Sequence, residues 1–340
     1  MISVASSLTL THSTVYVAPN RANPRLLFPG HGVMQRWHYS GLYPAFRSTA
    51  KAYRWVVRAR AALKLVDQLP AIPAPDGLID FLQGCFDSEV FTGVVLMGTP
   101  GPAQKLIVQL WGNGRVLGYM KYGITSTAKS RIEREHAVLS ALAPNLGPRP
   151  LKFAPFADGV AMLISPIYGK QLPASMSSAF TAKGLLDRMT LSVEHSVHEH
   201  PWIKRLRERY GNVGLPWLDA LCGRKWSVVV RHGDFAPWNV FQDKSGILRA
   251  IDWEYGTLEG FPHLDHAYFV LQVGRLMNRW SPEKAKGYAV SVLEREVARP
   301  QAEVLIRLVA LDIYNKALDD DHEPDTPMLR WWQTIWKEKR

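Results

Sequence analysis

The segment that most limits how this chain can fold lies about two thirds of the way along it. The apolar run Val228-Val229-Val230 leads into His232-Gly233-Asp234-Phe235-Ala236-Pro237-Trp238-Asn239, and thirteen residues beyond Asn239 the run Leu248-Arg249-Ala250-Ile251 delivers Asp252. Short apolar runs bounded by turn-forming residues read as strands. A carboxylate, an amide five residues later and a second carboxylate on the neighbouring strand are then expected to converge at one end of a small sheet. One proton acceptor beside two hard oxygen donors suits Mg2+, which prefers oxygen and takes few ligands from protein. The competing reading is an exposed loop that happens to hold Asp and Asn.

Upstream, residues 91–123 read as three consecutive strands, FTGVVLMG, KLIVQLW and RVLGYMKYG. The first turn is TPGPAQ; the second contains Asn113-Gly114, a pair suited to the positive φ angles of a tight hairpin. GNGRVLG has the wrong spacing for a dinucleotide fingerprint, and no helix follows it directly. Lys121 ends the third strand, and fourteen residues later Glu135 falls on a helix, about 127–142, whose apolar stripe is Ile132, Leu139 and Leu142. The 3, 4 and 3 spacing puts Glu135 on that stripe, where a carboxylate needs a cation and Lys121 is the obvious one. Glu133, the rival partner, points away from the stripe.

These ordered elements resemble the protein-kinase-like fold in the form used by the aminoglycoside phosphotransferase and choline kinase family. The resemblance runs over about residues 91–280 and leaves out the first 90 residues and the C-terminal helices. It implies an α+β fold of two lobes, an antiparallel-sheet N-lobe and a mainly helical C-lobe, with an N-terminal extension. It implies transfer of the γ-phosphoryl group of ATP, with Mg2+, to a hydroxyl of a small molecule. By resemblance Asp234 accepts or orients the hydroxyl proton, Asn239 and Asp252 hold the metal, Lys121 contacts the α and β phosphates, and Glu135 positions Lys121. By the same resemblance His232 and Asp265 brace the loop, although Asp265 near a helix start also reads as a plain N-terminal charge or cap. Asp252-Trp253-Glu254 replaces the Asp-Phe-Gly triplet of protein kinases. Gly98-Thr99-Pro100-Gly101-Pro102 occupies the place of the phosphate loop, although two prolines leave it few N–H donors. The adenine edge would meet the Ser165 carbonyl and the Ile167 N–H in the hinge Ile164-Ser165-Pro166-Ile167-Tyr168-Gly169.

Composition narrows the alternatives. With 340 residues, 47% hydrophobic and 21% charged, the chain is expected to be globular and to exceed one core. The implied division is an extension over 1–90, a nucleotide-binding N-lobe over 91–168 and a catalytic and acceptor-binding C-lobe over 169–340. Two cysteines, Cys85 and Cys222, lack metal-ligand spacing. The N-terminus lacks the basic start of a signal peptide, and no run of about 18 apolar residues offers a transmembrane segment. A cytoplasmic protein is expected. Residues 1–170 carry 18 Lys and Arg against 8 Asp and Glu, while residues 171–340 carry 23 against 22. The basic half favours phosphate-rich ligands.

A catalytically silent nucleotide-binding scaffold is one alternative, but it has no need of all five site residues. A basic protein binding nucleic acid or a membrane surface is another, and no specific nucleic-acid module is recognisable. Residues 49–67 read as a basic amphipathic helix, with the apolar stripe Ala52, Trp55, Val56, Ala59, Ala62, Leu63 and Val66, docked on its own protein, binding to a membrane or nucleic acid being the alternative. His195, His198, Glu199 and His200 read as a solvated helix end. The run Asp319 to Asp325 reads as a solvated loop, with cation recognition the alternative. The acceptor's identity, ATP against GTP, the oligomeric state and the role of residues 1–90 are not written in the motifs.

Overall fold

The computed structural model describes residues 1–11, 14–30, 32–45, 48–86, 91–210, 216–320, 323 and 325–337. The chain divides into two compact units, Met1–His136 with Pro148–Pro166 and Ala137–Gly147 with Ile167–Arg340. An antiparallel sheet dominates the first and helices dominate the second, the α+β arrangement expected of a kinase-like fold.

In the first unit eight strands form one sheet among the described residues, in the order β3-β1-β2-β4-β5-β6-β8-β7. They are β1 (Val15–Ala18), β2 (Leu26–Pro29), β3 (Asp67–Leu69), β4 (Thr92–Met97), β5 (Leu106–Gly112), β6 (Arg115–Gly123), β7 (Pro150–Phe156) and β8 (Gly159–Ile164). Three of these strands come from the first 90 residues, and β2 joins β4 through Leu26↔Leu96 and Leu27↔Val95. Asn113 and Gly114 take φ of 52° and 73° in the two-residue turn between Gly112 and Arg115. Both positive angles match the right-handed twist of the flanking strands.

The period-2 pattern of β1 splits the core. Val15 and Val17 join a cluster that holds Leu106, Val108, Met120 and Tyr122. Tyr16 and Ala18 face the opposite side, with Leu26, Phe28, Val57, Ala61 and Val66. Val57 and Ala61 belong to α3 (Ser48–Ala62), which follows α1 (Ile2–Ser7) and α2 (Val33–Tyr39). The docked face of α3 is therefore only in part the stripe expected from periodicity: Ala62 and Val66 of that stripe are buried, together with Val57 and Ala61 outside it, whereas Trp55, Val56 and Leu63 are exposed. Small or β-branched side chains allow the close approach to Tyr16 and Phe28. Buried Arg36 then caps the helix end, its Nη2 donating to the Ala62 carbonyl at 2.7 Å and its Nε to that of Ala61 at 3.2 Å. A short helix, α4 (Leu78–Leu82), precedes β4, and α5 (Ser126–Ala141) follows β6.

The second unit contains two three-stranded sheets among the described residues, ordered β10-β11-β14 and β13-β12-β9. The strands are β9 (Lys170–Gln171), β10 (Thr190–Ser196), β11 (Lys225–Arg231), β12 (Val240–Gln242), β13 (Leu248–Ala250) and β14 (Thr257–Gly260). Around them lie α6 (Ser177–Asp187), α7 (Pro201–Tyr210), α8 (Leu264–Gln272), α9 (Pro282–Leu293), α10 (Arg299–Asp319) and α11 (Pro327–Trp336). Every residue of α8 is buried, and a π turn at Val273–Met277 continues it.

The histidine-rich segment is only in part a solvated helix end: His198 and Glu199 are exposed just before α7. His195 lies on β10 opposite Trp226, and His200 is fully buried at the start of α7. Its Nδ1 accepts the Trp202 N–H at 3.2 Å, the role an N-cap side chain plays.

Candidate active site

The residues singled out in the sequence fall into two groups, one in each unit. In the first unit Lys121, on β6, places its Nζ 2.7 and 2.6 Å from Glu135 Oε1 and Oε2. Both residues are buried, and Glu133 is exposed on the same helix. A buried cation and carboxylate hold each other in place, because leaving either alone in the core is costly.

The glycine turn between β4 and β5 uses its own polar groups: the Gly98 N–H donates to the Lys105 carbonyl at 2.9 Å, and Gln104 Nε2 to the Gly98 carbonyl at 3.0 Å. At the end of β8 the Ser165 N–H donates to the Arg149 carbonyl, and its Oγ accepts the Arg149 N–H, both at 2.9 Å. Ile167 opens the second unit after Pro166.

The second group is built by β11, β12 and β13. Chain direction reverses after Arg231 through Gly233, whose φ is 82°. A Cβ there would sit 2.4 Å from the Tyr255 carbonyl oxygen, so any other residue would push the loop away from it. Asp265, near the start of α8, accepts the N–H groups of His232 and Gly233 at 2.6 and 3.0 Å. His232 Nε2 lies 2.8 Å from the Ile251 carbonyl oxygen, and its Nδ1 accepts the Asp234 N–H at 3.2 Å. Those two contacts fix the ring as the Nε2–H tautomer.

Asn239 Nδ2 donates to the Asp234 main-chain oxygen at 2.8 Å and to its Oδ2 at 3.0 Å. The Ile251 N–H donates to the Asn239 carbonyl at 2.9 Å, which carries Asp252 alongside. Asp252 has φ of 68°, a left-handed conformation that Asp tolerates better than most residues. Burial pushes the Asp234 carboxyl up to about 7, and the charges of Asp252 and Glu254 push the same way. Hydrogen bonds from Tyr268 and Asn239 oppose that rise. A carboxyl poised near neutrality beside an amide oxygen and a second carboxylate can take up a proton and offer oxygen ligands to a cation.

Tyr268 was not singled out from the sequence. Its hydroxyl donates to Asp234 Oδ1 at 2.5 Å and accepts from Gln272 Nε2 at 2.5 Å. The signal was present: Asp265, Tyr268 and Gln272 stand at i, i+3 and i+7, a polar ladder on a helix whose other residues, His266 apart, are apolar.

A buried ionic group lies behind the loop. Arg231 Nη2 and Lys316 Nζ reach Asp312 Oδ2 at 2.7 and 2.8 Å, and Lys316 also donates to the Gly233 carbonyl at 3.4 Å. Burial alone would push the Asp312 carboxyl up, but the two cations outweigh it and hold it at about 2.

Neither a protein-family profile nor a curated protein matches the sequence. Among solved structures, monomeric WbdD aligns at 16% identity over 60% of this chain and 44% of its own, with a TM-score of 0.29. Another WbdD structure, described as a bifunctional kinase-methyltransferase, aligns at 16% over 68% and 46%, TM-score 0.30. A protein from Haemophilus somnus described as a fructosamine-3-kinase aligns at 11% over 69% and 88%, TM-score 0.38. The chain thus spans less than half the length of WbdD. Among the described residues no helix is long and apolar enough to cross a membrane.

Proposed function

We propose that this protein transfers the γ-phosphoryl group of ATP to a hydroxyl of a small molecule, as a phosphotransferase of the aminoglycoside phosphotransferase and choline kinase type. The observation that carries the proposal is the Asp234–Asn239 contact with Asp252 carried alongside it by the Ile251–Asn239 hydrogen bond. The buried Lys121–Glu135 pair in the sheet unit supports it independently.

Asp234 would accept the proton of the acceptor hydroxyl as its oxygen attacks the γ-phosphorus. The bond from that phosphorus to the bridging oxygen breaks, and ADP leaves with the electron pair. Lys121, held by Glu135, would contact the α and β phosphates, and the Ser165 carbonyl and Ile167 N–H would meet the adenine edge.

The donor set fits Mg2+: Asn239 spends its Nδ2 on Asp234, which leaves Oδ1 as its acceptor, and Asp252 adds a carboxylate. When bound, the ion supplies charge neutralisation on the phosphates. The chain's own residues supply position and proton acceptance, which is most of what phosphoryl transfer asks of a protein. The acceptor favoured is a neutral or anionic hydroxyl compound such as a sugar.

The test is coupled ADP release screened over sugars, amino alcohols, nucleosides and aminoglycosides, with Asp234→Asn as control. That amide keeps the shape but takes no proton, so turnover is expected to fall about 10²–10⁴-fold while nucleotide binding persists. Turnover near that of the unaltered chain in Asp234→Asn would remove Asp234 from the role.

A further inference from the structure

Most of the apolar stripe of α3 faces away from the protein, Ala62 and Val66 at its C-terminal end being buried. At about 100° per residue, Ala52, Val56, Ala59 and Leu63 fall within one arc of roughly 60°, and Val57 and Ala61 lie on the other side of the helix. Those last two are the residues buried against the sheet. Val56 and Leu63 are 54% and 66% exposed, and no described residue covers them.

Trp55, 58% exposed, extends the patch sideways to α2. Its ring lies 5.2 Å from that of Trp37, and Arg58 sits over both rings. Met34, one turn before Trp37 on the same face of α2, is 65% exposed. A soluble surface leaves single apolar side chains in water, but a continuous stripe crossing two helices marks an interaction surface.

Charge identifies the occupant. Lys51, Arg60 and Lys64 are exposed along the flanks of the stripe. The first 66 residues hold nine Lys and Arg and no Asp or Glu, so no acidic side chain of this segment offsets them. An aliphatic ridge with a tryptophan at its edge and cations along its rim is the chemistry of a helix lying in the headgroup region of an anionic bilayer. Nucleic acid would use the cations and Trp55 but gain nothing from Val56 and Leu63. An acidic peptide would answer a local cluster rather than a segment free of negative charge.

We infer that the outward face of α3, with Trp37 and Met34 beside it, docks the protein on an anionic lipid surface. The inference goes beyond the phosphotransfer reading and does not depend on it.

The experiment is flotation of the full chain with vesicles of phosphatidylglycerol, or of phosphatidylcholine, at low and high salt. Binding is expected to phosphatidylglycerol alone and to weaken with salt. Lys51→Gln with Lys64→Gln should weaken it by about five-fold per charge removed. Val56→Ser with Leu63→Ser should weaken it by about ten-fold or more, with an unchanged thermal melt because both side chains are already in water. ADP release in vesicle-free solution should match that of the unaltered chain in both variants, which separates docking from catalysis. Any of four results would overturn the inference: no vesicle binding, equal binding to both lipids, indifference to the Val56 and Leu63 changes, or a dimer in solution that those changes dissolve.

Discussion

Asp234 does not act as an isolated carboxylate: both of its oxygens are already held, Oδ1 by Tyr268 and Oδ2 by Asn239. Removing the Tyr268 hydroxyl should let the carboxyl rotate while leaving the ring stacked on Trp332. A hydrogen bond to a charged group contributes about 1.5–3 kcal/mol. Tyr268→Phe is therefore expected to lower kcat by about ten- to a hundred-fold with the nucleotide KM unchanged; an equal loss in KM would make Tyr268 a packing residue only. In the first unit, Lys121→Met should do more harm than Glu135→Gln. Methionine strands a buried carboxylate, a loss of about 3–5 kcal/mol, whereas glutamine stays neutral and can still accept from Lys121. Urea midpoints beside ADP-release rates check the order, and two variants as stable and active as the unaltered chain would dissolve the pair. Glu135 was legible because its period coincided with an apolar stripe. Tyr268 was not, because sequence reading takes a tyrosine on an apolar helix as core, which by burial it also is.

Among the elements, those with strong local signals came through: the Asn113-Gly114 hairpin and the strands flanking the Asp234 loop lie where turn chemistry and short apolar runs put them. The failures share one cause. Hydrophobic periodicity identifies a face without saying what meets it, and on α3 the sheet received Val57 and Ala61 while Trp55, Val56 and Leu63 of the richer stripe stayed outside. At α7 the composition His195, His198, Glu199 and His200 suggested solvent, yet His200 is a buried cap. That cap makes a pH prediction. Burial lowers His200 to about 4, and burial likewise lowers His263 to about 4, both from 6.5. The unfolded chain therefore binds these protons more readily than the folded one. Stability from the neutral rings is present in full above 6.5 and is lost as pH falls through that value to about 4. Each ring contributes up to about 3 kcal/mol. His200→Asn keeps a cap acceptor without titrating, so its urea midpoint should fall less between pH 6.5 and 4.5 than that of the unaltered chain. Identical slopes would place the acid sensitivity elsewhere.

For the molecule as a whole, the question is which acceptor the charge distribution admits. The first unit is strongly basic, while residues 171–340 carry 23 cations against 22 acids. A polycation gains from a strongly negative receiving surface, and a balanced one offers no such field. The feature that could override the balance is the acidic run beginning at Asp319, because local charge prevails within about 8–10 Å at physiological salt. Its first members are engaged within the second unit: Asp319 pairs with Arg209, and Asp320 accepts from the Tyr255 hydroxyl at 2.5 Å. Asp321 lies outside the described residues. Farther into the same unit, Asp312 is spent on Arg231 and Lys316. An amino-sugar cation would have to compete with these contacts at Asp319, Asp320 and Asp312, which leaves the exposed Glu323 and Asp325 as the described carboxylates of the run that could meet it, whereas a neutral or phosphorylated sugar asks for no such exchange. Steady-state kinetics should therefore give higher kcat/KM for neutral sugars than for kanamycin-like substrates. Changing Asp319 and Asp320 to Asn should leave that preference in place. Efficient aminoglycoside turnover that collapses in the Asn variant would reverse the choice of acceptor while leaving the proposed phosphotransfer role of Asp234 intact.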